Sequence, residues 1–493
     1  MQNTTIERRL SAYEMEVHHS KNAYKVINYY TLCLSCFFLL ASIIGYFVMQ
    51  EKEFVNNLYV LLTSPSKLVT DYFALGGLAS ALFNTAICGL IANFIIIASK
   101  TKSNATTFAA YLLVVAHGMY GLNFLNMLPS IFGVLLYCAV MKKPFKENVH
   151  IALFSTALGP FISDFIFRYS YNLANGQVEA IIIGVVLAVV FGLATGFVVP
   201  ALLPGTTSMH RGYNMYKSGL SIGILGIFLH SFFYTTLGFE TPEVIKITNP
   251  EYYARPYAYV EFMNVFFILL FAGTLLAGYM LNNKSFYGYG DILKSTGYGV
   301  DFVDKFGMSL CLINFAVYGF CILAYLDIII FLPDVFPFLP KGNGFTGATC
   351  GVVFAALTFS ADGQQPRTVL PIMLGYVALF IVVVLISLCF GIEVAWTLST
   401  QPYINGLAFA TGLCPFAGKY GFKIGLLAGL MSAIICQSTA GMHGGFVLYN
   451  GGFTAGLTAL VLLPILDFYK IKPKYSDDVM EVSNKNILAQ DSE

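Results

Sequence analysis

The chain has 493 residues, of which 57% are hydrophobic and only 11% charged, and its formal net charge is +1. This composition excludes an ordinary soluble domain, in which roughly 25% of residues are charged. The balanced charge also gives no basic surface for nucleic acid. Apolar runs of about 20 residues can cross the hydrocarbon core of a bilayer as helices. The sequence therefore predicts an all-α, multi-pass membrane protein.

Fourteen apolar segments follow one another along the chain, and each is predicted as a transmembrane helix. They cover residues 27–49, 76–98, 106–125, 128–141, 150–167, 180–200, 218–238, 258–281, 307–332, 344–360, 369–395, 404–417, 423–438 and 446–466. Segments 128–141, 404–417 and 423–438 are short, so broken or re-entrant helices are the alternative there. The predicted parts are an N-terminal segment (residues 1–26), a first repeat (27–238), a linker (239–257), a second repeat (258–467) and a tail (468–493).

The distribution of Lys and Arg predicts the orientation. With the N-terminus inside and fourteen crossings, 21 of the 27 basic residues fall inside, and six fall outside, at positions 52, 67, 168, 246, 255 and 341. Cytoplasmic loops carry the excess of Lys and Arg in multi-pass proteins. Both termini are therefore predicted to be cytoplasmic, and the linker external.

The strongest pattern is a repeat. Residues 209–223 read MHRGYNMYKSGLSIG, and residues 442–456, 233 positions later, read MHGGFVLYNGGFTAG. Three more blocks recur in the same order, 71–89 at 301–319, 128–133 at 370–375 and 154–161 at 409–416. Four ordered blocks indicate a duplication, which in transporters builds one pathway from two halves. Because seven segments per half is an odd number, the second half is predicted to be inverted relative to the first.

Polar residues kept in both halves lie within the apolar segments. Asn84 and Asn314 need partners in hydrocarbon, so they either face a substrate cavity or join helices through hydrogen bonds. Two threonine–proline pairs also recur, Thr156 with Pro160 and Thr411 with Pro415. Proline frees a carbonyl of the preceding turn, and broken helices aim their ends at substrates in transporters. An ordinary proline kink is the alternative.

The His–Gly motifs open the last segment of each half. The shared residues are His210, Gly212, Tyr216, His443, Gly445 and Tyr449. Glycine permits close backbone approach, and amides at a helix N-terminus bind anions. The histidines are interpreted either as proton relays or substrate contacts, or as caps of a tight turn between packed helices.

Charged residues near the apolar segments are candidates for ion coupling. They are Asp164, Asp327, Glu393 and Lys419. Asp164 aligns with Lys419, so the two charges either bridge the halves or lie separately at the interface. Arg168, four residues after Asp164, is a local partner. His117 and His230 have no counterpart and are interpreted as packing residues.

No motif of ATP-dependent or hydrolytic chemistry is present in the sequence. The ten cysteines lie in or at the ends of apolar segments, which predicts packing thiols rather than a disulfide framework or a zinc site. We therefore expect no cofactor and no metal, and an enzyme is the less favoured class.

The second His–Gly block carries a resemblance to a known family. Residues 442–453, MHGGFVLYNGGF, resemble the glycine-rich signature of an uncharacterised family of bacterial membrane proteins, domain of unknown function 1576, and the similarity covers most of the chain. The family has no established activity. The resemblance therefore implies a multi-pass protein of the bacterial inner membrane and transfers no site residues.

Together these patterns predict a secondary transporter or facilitator of a small polar solute, with its site near the membrane midplane between the inverted repeats. The expected partners are the solute and the bilayer; coupling to H⁺ or Na⁺ and a homo-oligomer are compatible with the sequence. A channel of the same symmetry is one alternative. A membrane enzyme or scaffold is another, and an enzyme would show an asymmetric polar cluster in one half only.

Overall fold

The computed structural model describes residues 2–68, 70–173, 179–242, 256–342, 344–394 and 396–476, without the side chains of residues 2–22 and 256–258. These residues form helices and connecting turns, and ten of the helices are long and apolar enough to cross a membrane. The ten are Ala23–Val48, Tyr72–Ala98, Val149–Leu173, Glu179–His210, Lys217–Thr236, Tyr259–Leu281, Met308–Val335, Pro366–Phe390, Phe422–Met442 and Asn450–Phe468. The chain is therefore a multi-pass membrane protein.

The backbone helix Gln2–Val48 is continuous and contains the first candidate membrane span, Ala23–Val48. Most of the predicted linker and tail, residues 243–255 and 477–493, lies outside the described residues.

Four of the fourteen predicted segments form shorter helices. Segments 106–125, 128–141, 344–360 and 404–417 become Ala105–Gly118, Leu128–Val140, Gly347–Ala356 and Gln401–Ala410. The predicted break in 404–417 is present, because a 3-10 turn at Thr411–Leu413 separates two short helices. The alternative of a broken helix at 423–438 is wrong, because that segment lies inside the continuous helix Phe422–Met442. Helices of spanning length thus number ten among the described residues, not fourteen.

Each half contains a hairpin whose two ends meet. Thr101 Oγ1 donates to the Lys146 carbonyl at 3.0 Å, which closes residues 101–146 into hairpin 1. Thr346 Oγ1 donates to Gln401 Oε1 at 2.9 Å, which closes residues 346–401 into hairpin 2. The second arm of each hairpin packs along a long helix of its own half, Leu128–Val140 on Glu179–His210 and Pro366–Phe390 on Phe422–Met442.

The first arms of the two hairpins pack against each other. A Cβ added to Gly347 would lie 2.4 Å from the Met119 carbonyl oxygen, and one added to Gly351 would lie 2.3 Å from that of Ala116. The earlier glycine contacts the later residue of the partner helix and the later glycine contacts the earlier one, so helices Ala105–Gly118 and Gly347–Ala356 run antiparallel. Glycine is required at both positions, because any side chain would push the two backbones apart.

Equivalent residues of the two halves also start their second long helix alike. Asp71 Oδ1 accepts a hydrogen bond from the Phe73 amide at 3.0 Å, and Asp301 Oδ1 accepts one from the Val303 amide at 2.8 Å. Six residues after each cap, Gly77 and Gly307 have φ of +78° and +81° and kink the chain. Only glycine adopts such angles without strain. Burial raises the pKa of the Asp301 carboxyl, and hydrogen bonds from the Asp304 and Val303 amides oppose this shift.

Candidate functional site

The two His–Gly loops hold the helix breaks of the opposite halves. Met215 N donates to the Gly412 carbonyl at 3.0 Å, and Leu448 N donates to the Ala157 carbonyl at 3.0 Å. Met215 and Leu448 are equivalent in the repeat, and so are Ala157 and Gly412. The halves are therefore joined by a pair of reciprocal backbone hydrogen bonds, one at each 3-10 turn.

Side chains around these bonds match in the same way. Tyr213 stacks on Phe416 with ring centroids 4.7 Å apart, and its counterpart Phe446 stacks on Phe161 at 4.5 Å. Two hydroxyl pairs also correspond, Thr206 with Ser221 at 2.5 Å and Thr439 with Thr454 at 2.7 Å. Both halves thus build the same local structure from residues that the offsets relate.

The paired asparagines cap the hairpins. Asn84 Nδ2 donates to the carbonyls of Gly118 and Leu122 at 2.7 and 2.9 Å. Asn314 Nδ2 donates to the equivalent carbonyls, Ser360 and Gln364, at 2.7 and 2.8 Å. Both side chains are fully buried. Their amide donors satisfy carbonyls left open at the turn of each hairpin.

The threonine–proline pairs shape the breaks themselves. Thr156 Oγ1 donates to the Leu153 carbonyl at 2.7 Å, and Thr411 Oγ1 donates to that of Ala408 at 2.6 Å. Pro160 and Pro415 are buried in the first turn of the helix that follows each 3-10 turn. Thr411 Oγ1 also accepts a hydrogen bond from Gln364 Nε2 at 2.8 Å, which ties the second break to hairpin 2.

The motif histidines differ between the halves. His443 Nε2 and Asn450 Oδ1 lie 3.0 Å apart in a hydrogen bond. Lys217 replaces Asn450 in the first half, and both ring nitrogens of His210 are buried without a hydrogen-bond partner among the described residues. Gly212 and Gly445 have φ of +78° and +80° and turn the chain after each histidine.

The four predicted ion-coupling residues are not brought together. Asp164 accepts hydrogen bonds from Arg168 at 2.7 and 2.9 Å and from Tyr234 at 2.5 Å, so its local partner is the one that it uses. Lys419 instead lies over the Tyr298 ring, 4.6 Å from its centroid. Asp327 is half-buried and accepts from Asn264 at 3.0 Å, and Glu393 is exposed.

An open cavity of about 250 Å³ lies where the halves meet. The first half contributes Thr106, His150, Leu203 and Lys217 to its wall, among others, and the second half contributes Phe359 and Asp362. Asp362 follows the first arm of hairpin 2, and Lys217 begins the helix after the first His–Gly loop. The cavity is therefore built from both repeats.

Two opposite charges face this open cavity without pairing. Asp362 and Lys217 make no ion pair within 4.0 Å among the described residues, and the structure gives neither side chain a hydrogen bond there. Burial raises the pKa of the Asp362 carboxyl to about 7, and nearby Asp301 and Asp304 add to this shift, while Lys217 lowers it.

The repeat offsets map the open cavity onto a second set of residues, the closed counterpart. The six wall residues named above correspond to Ala348, Asn405, Cys436, Asn450, His117 and Tyr120. Among all ten residues that line the open cavity, four are buried, namely Phe154, Met215, Ser218 and Phe359. Seven of their ten counterparts are buried, including Ala348, Cys436, His117 and Tyr120. One conformation thus has an accessible site in one place and a packed one at the equivalent place.

The closed counterpart holds buried polar atoms without partners. His117 Nε2, Tyr120 OH and Tyr449 OH have no hydrogen-bond partner among the described residues. The His117 ring lies 5.1 Å from the rings of both Tyr120 and Tyr449. Buried polar groups are nearly always hydrogen-bonded in native proteins, so these three atoms are exceptions among the described residues.

One residue difference between the halves explains why Tyr449 OH has no hydrogen-bond partner among the described residues. In the other half, Tyr216 OH donates to the Ala355 carbonyl. The equivalent acceptor, the Leu113 carbonyl, instead binds His117 Nδ1 at 2.6 Å. His117 replaces the Phe359 of the other half and takes the acceptor that Tyr449 would use.

The sequence did not identify Asp362, Lys217, His150 or His117 as site residues. The search for residues kept in both halves favours scaffold positions, and these four differ from their counterparts Tyr120, Asn450, Asn405 and Phe359. A polar or charged residue that differs between the two halves would have been the more useful signal. Asp362 is such a residue, because it lies in a short connector between two apolar segments and corresponds to Tyr120 in the first half.

Comparison with known proteins gives one match. The profile of a family described as "Protein of unknown function (DUF1576)" matches residues 50–235 and 281–468. The chain matches none of the curated proteins. It likewise matches none of the solved structures.

Proposed function

The chain belongs to the DUF1576 family, whose description gives no activity, and from its contacts we propose that it is a secondary transporter of a small polar solute that works by alternating access. The observation that carries this proposal is the unequal state of two equivalent sites. The open cavity is accessible, while its closed counterpart is packed. Exchanging the two states would expose each site in turn.

The proposed exchange requires that the two halves be inverted relative to each other, and the following features support that arrangement. When the two halves are aligned by the repeat, each contains five long or broken helices and one hairpin. A hairpin adds either two crossings or none, so the sides of the other loops remain those that the basic residues predict. The first His–Gly loop then faces the cytoplasm and the second faces outside. The antiparallel packing of Ala105–Gly118 on Gly347–Ala356 is the contact expected at a two-fold axis in the membrane plane.

The alternatives fit the geometry less well. A channel needs both ends open at once, and the closed counterpart buries Cys436 and Tyr120. An enzyme was expected to place an asymmetric polar cluster in one half. The wall of the open cavity instead takes Lys217 from the first half and Asp362 from the second.

Native Cys436 makes the exchange measurable, because it is 2% exposed and is the counterpart of Leu203. We would replace the other nine cysteines, add Leu203→Cys, and label both thiols with a membrane-impermeant maleimide. Prelabelling position 203 with a bulky maleimide fills the open cavity and prevents it from closing. The proposal predicts that this slows labelling of Cys436 at least about tenfold, an energy difference of about 1.4 kcal/mol between the two states.

The matched control is Ser208→Cys, an exposed position near the end of the same helix. Its prelabelling leaves the Cys436 rate unchanged in this account. If Cys436 reacts equally fast with and without the label at position 203, the two sites open independently and the transporter proposal fails in favour of a channel or scaffold.

A further inference from the structure

The walls of the open cavity are electrically polarised. Asp362 supplies a carboxylate from hairpin 2, and Lys217 supplies an ammonium from the opposite half. Asp362 is half-buried and Lys217 is exposed, so the carboxylate loses part of its hydration without gaining a partner, which is costly. A ligand that carries one charge of each sign would give this carboxylate a partner and would place its negative group near the ammonium.

Helix ends reinforce the positive side. Thr106 lies in the first turn of Ala105–Gly118, and Lys217 and Ser218 begin Lys217–His230; both helices have 14 residues and start at the cavity. The N-terminus of a helix carries partial positive charge. The Lys217 side therefore suits an anionic group, while the Asp362 side suits a cationic one.

The volume limits the size of the occupant. The cavity holds about 250 Å³, which is below the roughly 300–1,000 Å³ of sites for drug-sized ligands. Its remaining wall mixes hydroxyls of Thr106 and Ser218 with the apolar faces of Phe154 and Phe359. A small molecule with two charged groups and a modest side chain fits this description.

We propose that the open cavity binds a small zwitterion of the amino acid type, with its ammonium on Asp362 and its carboxylate between Lys217 and the two helix N-termini. This assignment rests on the transporter proposal and names the class of solute. It does not depend on the motif histidines or on the paired asparagines, none of which lines the open cavity.

The test measures binding to the purified full-length protein by calorimetry and thermal stabilisation, with each of the twenty standard amino acids as probe. At least one is expected to bind at millimolar concentration or below. Its N-acetyl derivative, which lacks the ammonium, and its amide, which lacks the carboxylate, are expected to bind about 10-fold to 100-fold more weakly, since each loses a charge-assisted contact.

Variants test the two wall residues. Asp362→Asn and Lys217→Gln are expected to weaken binding by about the same factor, while Asp362→Glu retains it. Glu147→Gln and Lys423→Gln are matched controls, because both side chains are exposed and neither lines the cavity; they leave binding unchanged. If Asp362→Asn fails to fold, the derivative series on the unaltered protein still decides the matter.

Two results overturn the zwitterion assignment. One is that none of the twenty amino acids binds; the other is that the N-acetyl or amide derivative binds as tightly as its parent. Either result leaves the labelling test of Leu203→Cys and Cys436 untouched, so the failure of this inference is distinguishable from the failure of the transporter proposal.

Discussion

The open cavity and its closed counterpart are made from equivalent segments, yet they differ in access and in chemistry. The open one presents Asp362 and Lys217 to solvent. The closed one has the buried Tyr120 and the neutral, half-buried Asn450 at the same positions, and adds the buried His117. The contacts that hold the halves together are the same in both places. The comparison separates a duplicated scaffold, which is symmetric, from the residues that we propose contact a solute, which are not.

The largest expected effect concerns Asp164 and Lys419, which occupy equivalent positions in the two halves but have different partners. Asp164→Ala removes the buried partner of Arg168 and Tyr234, and we expect the free energy of unfolding to fall by about 3 kcal/mol. Lys419→Ala removes a contact with the Tyr298 ring worth about 0.5–1 kcal/mol. Chemical unfolding in detergent measures both. Equal losses for the two variants would contradict the unequal roles assigned to these residues.

The next effect tests the symmetry of the scaffold. Asn84→Ala and Asn314→Ala each leave two buried carbonyls without their amide donor, so both should lower the free energy of unfolding, by about 2 kcal/mol each. Asn56→Ala, at an exposed position, is the control and costs little. A loss confined to one of the two variants would mean that the hairpins are not equivalent.

A smaller effect concerns pH and the open cavity. Asp362 is ionised above a pKa of about 7, so its charge is present at pH 8 and mostly lost at pH 6. We expect the dissociation constant of a bound zwitterion to rise about tenfold from pH 8 to pH 6. The charged groups around Asp362 are Lys217, Asp301 and Asp304, and His150 lines the same cavity.

The matched measurement repeats this titration in His150→Gln. His150 is another titratable side chain in the cavity wall, so the variant separates its contribution from that of Asp362. Persistence of the pH effect in His150→Gln assigns it to the carboxylate. A flat profile in the unaltered protein would contradict a role for ionised Asp362 in binding.

The smallest expected effect comes from His117→Phe, a substitution that gives the closed counterpart the residue found at the equivalent position of the open cavity, Phe359. His117→Phe frees the Leu113 carbonyl for Tyr449 OH, as the Ala355 carbonyl serves Tyr216 OH. We expect a gain of up to about 1 kcal/mol in the free energy of unfolding and slower labelling of Cys436. A clear loss of stability would show that the polar atoms of His117 are satisfied in the folded protein.

The sequence predicted the scaffold better than the site. Hydrophobic length located ten helices, because crossing hydrocarbon imposes one requirement on every span. It also predicted spans at the two hairpins, where Ala105–Gly118 and Gly347–Ala356 are short and rely on Asn84 and Asn314 to satisfy their open carbonyls. Such capping by a distant residue leaves no periodicity in the hairpin itself.

The site was missed for a different reason. Duplicated residues such as Pro160, Pro415, His210 and His443 stand out in the sequence because they recur at equivalent positions of both halves. The charges that face the cavity, Asp362 and Lys217, occur once each, and only the fold brings hairpin 2 next to the first His–Gly loop. Their proximity depends on contacts across about 145 residues, which no local pattern in the chain encodes.

The most direct test of the account is the side of the membrane on which two equivalent residues lie. Lys217→Cys and Asn450→Cys would be placed singly in a cysteine-free background and exposed to an impermeant maleimide in intact cells and again after permeabilisation. Inverted halves predict that Asn450→Cys reacts in intact cells and that Lys217→Cys reacts only once the membrane is opened. Reaction of both from the same side would contradict the inversion and remove the basis for alternating access.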